Sequence, residues 1–105
     1  MTRADNRINL QYILEDILGS RNVYFQPPEN LKMKFPCIRY SLDNIKSTRA
    51  DDRNYYNSNS YQIIYIDDDP DSEIPDRILE LPMCRFERFY TADNLNHWVF
   101  TLTYK

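Results

Sequence analysis

Residues 37–66 read CIRYSLDNIKSTRADDRNYYNSNSYQIIYI, and the fold turns on how this stretch divides. Ile38, Tyr40 and Leu42 alternate with Cys37, Arg39 and Ser41, the period of two that marks a half-buried strand. From Tyr61 to Ile66 strand character resumes. Tyr61, Ile63 and Tyr65 take one face and Ile64 and Ile66 the other, so both faces are apolar. Between these runs, residues 43–60 are polar and without periodicity. Such a length exceeds ordinary hairpin connections, so 43–60 is expected as a long exposed loop.

Upstream, Leu10, Ile13, Leu14, Ile17 and Leu18 form one stripe at helical spacing, which predicts an amphipathic helix over 5–18. Thr2 stands at capping-box distance from Asp5, and Gly19 falls where a left-handed C-terminal cap belongs. Val23 to Phe25 is an apolar triplet closed by Pro27 and Pro28, at most an edge strand. Downstream, Asp67-Asp68-Asp69-Pro70-Asp71-Ser72 stops the strand. Asp71 or Ser72 then caps a helix in which Pro75 is tolerated in the first turn, Ile74, Ile78 and Leu81 form the stripe, and Pro82 ends it. Cys84, Phe86, Arg88 and Tyr90 alternate with Arg85, Glu87 and Phe89. Trp98, Phe100, Leu102 and Tyr104 alternate with Val99, Thr101 and Thr103, and residues 91–94 read as the turn between. Helix, hairpin, helix, hairpin is the pattern of an α+β two-layer sandwich. The expectation is an antiparallel four-stranded sheet with two helices on one face, in a single domain spanning 1–105.

The 105 residues carry a net charge of −3, one glycine, two cysteines and nine tyrosines. With Gly19 alone there is no glycine-rich phosphate loop. Two cysteines are too few for a disulfide framework or a zinc site. Asp5, Glu15 and Asp16 are incompatible with a secretory apolar core, and no apolar run approaches the roughly 18 residues of a membrane span. A soluble, cytoplasmic domain is expected.

Catalytic chemistry finds little footing. Asp67, Asp68, Asp69 and Asp71 are the densest set of ligating oxygens, but a calcium loop needs a glycine at its sharp turn and a distal bidentate glutamate. Here Pro70 occupies the turn and Glu73 follows too soon, so helix capping and solvation are the expected roles. His97 has no evident orienting partner for general-base work. Cys37 and Cys84 fall on strands, as small buried hydrophobes do, and no nucleophile elbow is present. No enzyme, metal or cofactor is expected.

Charge is unevenly spread. Residues 32–53 hold six basic side chains against three acidic, a balance of +3, whereas residues 67–80 hold seven acidic against Arg77, a balance of −6. These are either two unrelated solvated faces or complementary surfaces, the basic stretch of one copy meeting the acidic helix start of the next. A head-to-tail contact of that kind closes into a ring when the rotation permits. Two helices cover only one side of a four-stranded sheet, and an uncovered apolar face marks a protein partner. Tyr55 and Tyr56 lie in the polar stretch, and tyrosine is enriched at interfaces. Stacking of single-stranded nucleic acid on Tyr55 and Tyr56 beside Arg49 and Arg53 is the weaker alternative in an acidic chain. The interface candidates are therefore Arg49, Arg53, Tyr55, Tyr56, Asp67, Asp68, Asp69 and Asp71.

Four phrases carry a family resemblance: Val23-Tyr24-Phe25-Gln26-Pro27-Pro28, Met33-Lys34-Phe35-Pro36-Cys37-Ile38-Arg39-Tyr40, Asp68-Asp69-Pro70-Asp71-Ser72 and Ala92-Asp93-Asn94-Leu95-Asn96-His97. With the element order, they make the chain resemble the small tail-terminator and tail-completion proteins of tailed bacteriophages and prophages. The resemblance implies a non-enzymatic virion component, assembled in the host cytoplasm as a homo-oligomeric ring, commonly a hexamer. Such a ring ends growth of the tail tube, contacting the tube protein, and presents a surface to the head connector. Neither a membrane nor a specific nucleic acid is implied as a partner. A head–tail adaptor, a minor capsid protein of the neck, or a monomeric binding module are the alternative readings.

Overall fold

The computed structural model describes the backbone of residues 3–50 and 53–104 and the side chains of residues 5–45 and 59–104. Its first helix, α1 (Arg3–Leu18), buries Leu10 and Leu14 from the stripe read in the sequence. The helix stops because Gly19 adopts φ +80° and donates its N–H to the Glu15 carbonyl at 2.8 Å, the left-handed cap that glycine takes without a Cβ penalty. Thr2 lies outside the described residues.

The strands are β1 (Val23–Phe25), β2 (Cys37–Ala50), β3 (Arg53–Asp67), β4 (Cys84–Ala92) and β5 (Leu95–Tyr104), with α2 (Ile74–Leu79) between β3 and β4. They form one mixed sheet of five strands in the order β1-β2-β3-β5-β4. This corrects the expected antiparallel four-stranded sheet. β1 joins the sheet parallel to β2, pairing Val23 with Ile38 and Phe25 with Tyr40. Its flanks complete the ladder: the Ile38 N–H reaches the Asn22 carbonyl at 2.9 Å and the Gln26 N–H reaches the Tyr40 carbonyl at 2.8 Å. A parallel neighbour requires a crossover of about a dozen residues, and the proline-bearing stretch between β1 and β2 supplies it.

A second correction falls on residues 43–60. Residues 43–50 and 53–60 are strand, not loop: β2 continues to Ala50, β3 begins at Arg53, and the two pair antiparallel from Cys37↔Ile66 out to Ala50↔Arg53, while residues 51 and 52 lie outside the described residues. Register shifts between Leu42 and Asn44 and between Thr48 and Arg49 break the alternation that would have announced a strand.

One face of the sheet carries the core. Ile38, Tyr40, Tyr61, Ile63, Tyr65, Phe100 and Leu102 pack with Val23, with Leu10 and Leu14 of α1, and with Ile78 of α2, so both helices lie on this face. A polar hub ties α1 to the sheet. The Tyr40 hydroxyl donates to Gln11 Oε1 at 2.6 Å, while Gln11 Nε2 donates to the Val23 carbonyl at 2.9 Å. At the far edge, Asp93 and Asn94 at φ +53° and +63° make the two-residue turn between β4 and β5, the type whose twist suits a hairpin. A register shift between Phe86 and Arg88 brings Phe86 opposite Phe100 and Phe89 opposite Trp98. Strict alternation would have put the two phenylalanines on opposite faces; the bulge puts both on the helix side.

Core and arm respond differently to truncation. Ile63→Ala, on a central strand beneath both helices, is expected to destabilise by about 2–5 kcal/mol. Ile45→Ala, 41% exposed on the projecting part of β2, is expected to change folding stability by about 0.5 kcal/mol or less. Equilibrium urea unfolding of dilute protein measures both.

Candidate functional site

The longest strands outrun the sheet they belong to. β5 pairs with β3 only from Asn59 to Asp67, and β1 pairs with β2 only from Ile38 to Tyr40. Residues 44–50 and 53–58 therefore pair with each other and, among the described residues, with no third strand. At about 3.4 Å per residue this two-stranded arm projects roughly 20 Å, and the molecule measures 51 × 24 × 23 Å. Arg49 and Arg53 sit at its distal end by register, Arg49 opposite Asn54 and Arg53 opposite Ala50; Tyr56 pairs with Thr48. The side chains of Arg49, Arg53, Tyr55 and Tyr56 lie outside the described residues.

At the other end of β3, the aspartates build a turn. Asp67 is 7% exposed. Its Oδ2 accepts from the Tyr65 hydroxyl at 2.6 Å and its Oδ1 from the Asp69 N–H at 3.2 Å. Asp69 Oδ1 in turn accepts from the Asp71 N–H at 2.9 Å. Ser72 Oγ accepts from the Ile74 N–H at 3.3 Å and lies 3.0 Å from the Tyr65 hydroxyl. Of the two capping candidates it is thus Ser72 whose side chain reaches the start of α2, although Glu73 occupies the N-cap position itself. Asp67 and Asp69 are spent on successive side-chain-to-backbone turns. Burial, and then the bond to Asp67, raise the Tyr65 hydroxyl above its ordinary pKa. Asp68, Asp69 and Asp71 are exposed. No group of three or more His, Cys, Asp or Glu side chains converges to hold a metal ion among the described residues.

The two halves of the expected interface thus stand at opposite ends of one strand. Arg49 and Arg53 cannot meet Asp67, Asp68, Asp69 or Asp71 within one chain, because β3 separates them by nearly its full length. Any contact between these two groups is a contact between copies.

His97 stacks on Tyr90 with ring centroids 4.6 Å apart and planes 10° apart, and its Nδ1 lies 3.1 Å from the Leu95 carbonyl. Cys37 is fully buried and Cys84 partly so, both as free thiols. Burial pushes each thiol up to about 11, so neither is a ready thiolate nucleophile.

The exposed apolar surface is not where the sequence pattern put it. The sheet face away from the helices carries Cys37, Ile66 and Val99, all buried, among Arg39, Gln62, Arg88 and Thr101. Of its large hydrophobic residues Tyr90 is the one exposed among the described residues. The aromatic surface lies on the helix side instead, along β4, where the six-residue α2 is too short to cover the strand. Phe86 and Phe89 are about half exposed; Phe86 packs edge-on against Phe100, and Phe89 lies tilted against Trp98. Beside them an apolar groove of about 400 Å³ opens between α1 and the α2–β4 turn, lined by Leu10, Ile13, Leu81, Met83, Leu102 and Tyr104. The bulge and the shortness of α2 create this surface, and neither has a signal in residue spacing.

Neither a scan against protein-family models nor a search of curated proteins finds a match to this chain.

Two measurements probe this end of the molecule. Tyr65→Phe removes the donor to a buried carboxylate and is expected to cost about 1–3 kcal/mol of stability, read by urea unfolding. The thiols give a pH dependence. Each is held neutral in the folded state, so its contribution is intact below its ordinary pKa of 9.0 and is lost as pH rises toward about 11, because the unfolded chain ionises first. Stability is expected to fall between pH 9 and 11, and the Cys37→Ala/Cys84→Ala variant should fall less steeply than the parent. Equal slopes would show that the thiols do not contribute.

Proposed function

We propose that this chain is a structural subunit that assembles through its hairpin arm into a homo-oligomeric ring at the head-proximal end of a phage tail. There it ends tube growth and joins the tail to the head connector. The arm carries the assembly part of this reading. A two-stranded hairpin standing alone in water is marginal at best, and this one extends past its third strand for about 20 Å. A domain that commits residues 44–58 to such an arm has a use for it against a neighbour. The arm projects away from the acidic segment 67–80 of its own chain, the arrangement that a head-to-tail contact satisfies and an internal one does not. The placement of the ring in a tail rests on the resemblance of the four sequence phrases to tail-terminator proteins.

Replacing residues 44–58 by an Asn-Gly turn is expected to leave a folded domain and abolish rings. Circular dichroism checks the fold, and negative-stain microscopy beside the intact protein checks assembly. Normal rings from the shortened chain would refute the arm's role. Reversing Arg49 and Arg53 to Glu, or raising salt above about 0.5 M, is expected to weaken self-association if the contact is electrostatic; sedimentation that is insensitive to both would contradict it.

A further inference from the structure

We propose that the apolar groove between α1 and the α2–β4 turn is the receptor for the hairpin arm of a second copy of this chain. The inference rests on the ring reading above and names the surface that the arm meets.

Position is the first argument. Leu102 and Tyr104 line the groove, and these residues pair with Tyr61 and Asn59, where the arm leaves the sheet. A chain's own arm runs outward from this point along the strand direction, so it points away from its own groove. The arm of another copy meets no such restriction.

Charge is the second. The elements that flank the groove carry Asp5, Glu15, Asp16, Glu73, Asp76 and Glu80 against Arg3, Arg7 and Arg77, a balance of −3. The arm, residues 44–58, carries Lys46, Arg49 and Arg53 against Asp51 and Asp52, a balance of +1, together with Tyr55 and Tyr56. A basic segment with two tyrosines suits an apolar groove with an acidic surround, because tyrosine presents an apolar body with a polar tip. This moves the acidic counter-surface away from the Asp67–Asp71 turn, whose first carboxylate is already engaged by Tyr65 and Asp69. The helix layer takes its place: Asp16 and Glu80 line the adjoining cleft, which shares Ile13 and Leu81 with the groove.

The apolar margin is the third. Met83 is 60% exposed on the groove wall, and Phe86 and Phe89 continue the apolar surface along β4. A strand pair laid on this margin covers side chains that α2 leaves bare.

The test uses two lesions and their mixture. Met83→Arg places a cation where the basic arm is to dock, at an exposed side chain that the fold does not need; Ile13→Lys is a second lesion in the same wall, and Met83→Leu is the conservative control. Sedimentation velocity is expected to show self-association at least tenfold weaker for either charged variant and unchanged for Met83→Leu. The arm-deleted chain is expected to be monomeric alone. Mixed with Met83→Arg it should form a one-to-one complex and nothing larger, since only one intact arm and one intact groove are present per pair. If the charged variants form wild-type rings, the groove is not the receptor, although the ring reading stands. If the intact protein is monomeric at all concentrations, both fall together. If the intact protein is a closed dimer that either lesion breaks and the mixture restores, the arm-in-groove contact holds and the ring reading falls.

Discussion

The pairing of β2 with β3 is the interaction on which the rest of the structure depends. Its inner half, from Cys37↔Ile66 to Leu42↔Tyr61, is the middle of the sheet. It supplies Ile38, Tyr40, Tyr61, Ile63 and Tyr65 to the core and gives β1 and β5 their places on either side. Its outer half is the same ladder without neighbours. One strand pair therefore runs from the buried middle of the sheet to a ladder that has no third strand among the described residues. Whatever pulls on the arm acts directly on the central strands.

Much of this was legible in the residues, and what was not has physical causes. The α1 stripe, its glycine cap and the inner halves of β2 and β3 all bury one face, and burial is what writes periodicity into a sequence. Residues 43–60 are polar and carry no alternation, and two register shifts interrupt the pairing that they make. β1 escaped for another reason: three residues cannot display a period, and its parallel partner is chosen by the crossover rather than by a turn signal. The bulge at Glu87 moved Phe89 to the face of Phe86, which no count of alternating residues foretells. Hence the class of the fold was readable, whereas the number and mixed direction of its strands were not.

The candidate surface shows the same division. Composition identified a basic and an acidic segment; the structure sets Arg49 and Arg53 at the distal end of the arm and the Asp67–Asp71 turn at the other end of β3, with Arg39, opposite Ile64, near that turn. Composition could not show that Asp67 is committed to Tyr65 and Asp69, because that use depends on a buried hydroxyl brought in from the strand. Nor could it show the groove, which exists because α2 spans only Ile74–Leu79 while β4 runs from Cys84 to Ala92. Met83, Phe86 and Phe89 line the helix-side margin, and on the opposite sheet face Cys37, Ile66 and Val99 are buried. The described surface thus has one apolar margin and one projecting arm.

The central claim is that the arm is completed by a second copy, and amide hydrogen exchange across residues 44–58 as a function of protein concentration tests it most directly. Protection of these amides should rise steeply with concentration, in parallel with the assembled fraction, while that of residues 61–66 stays high throughout. Exchange in 44–58 that is the same in dilute and assembled protein would contradict the account.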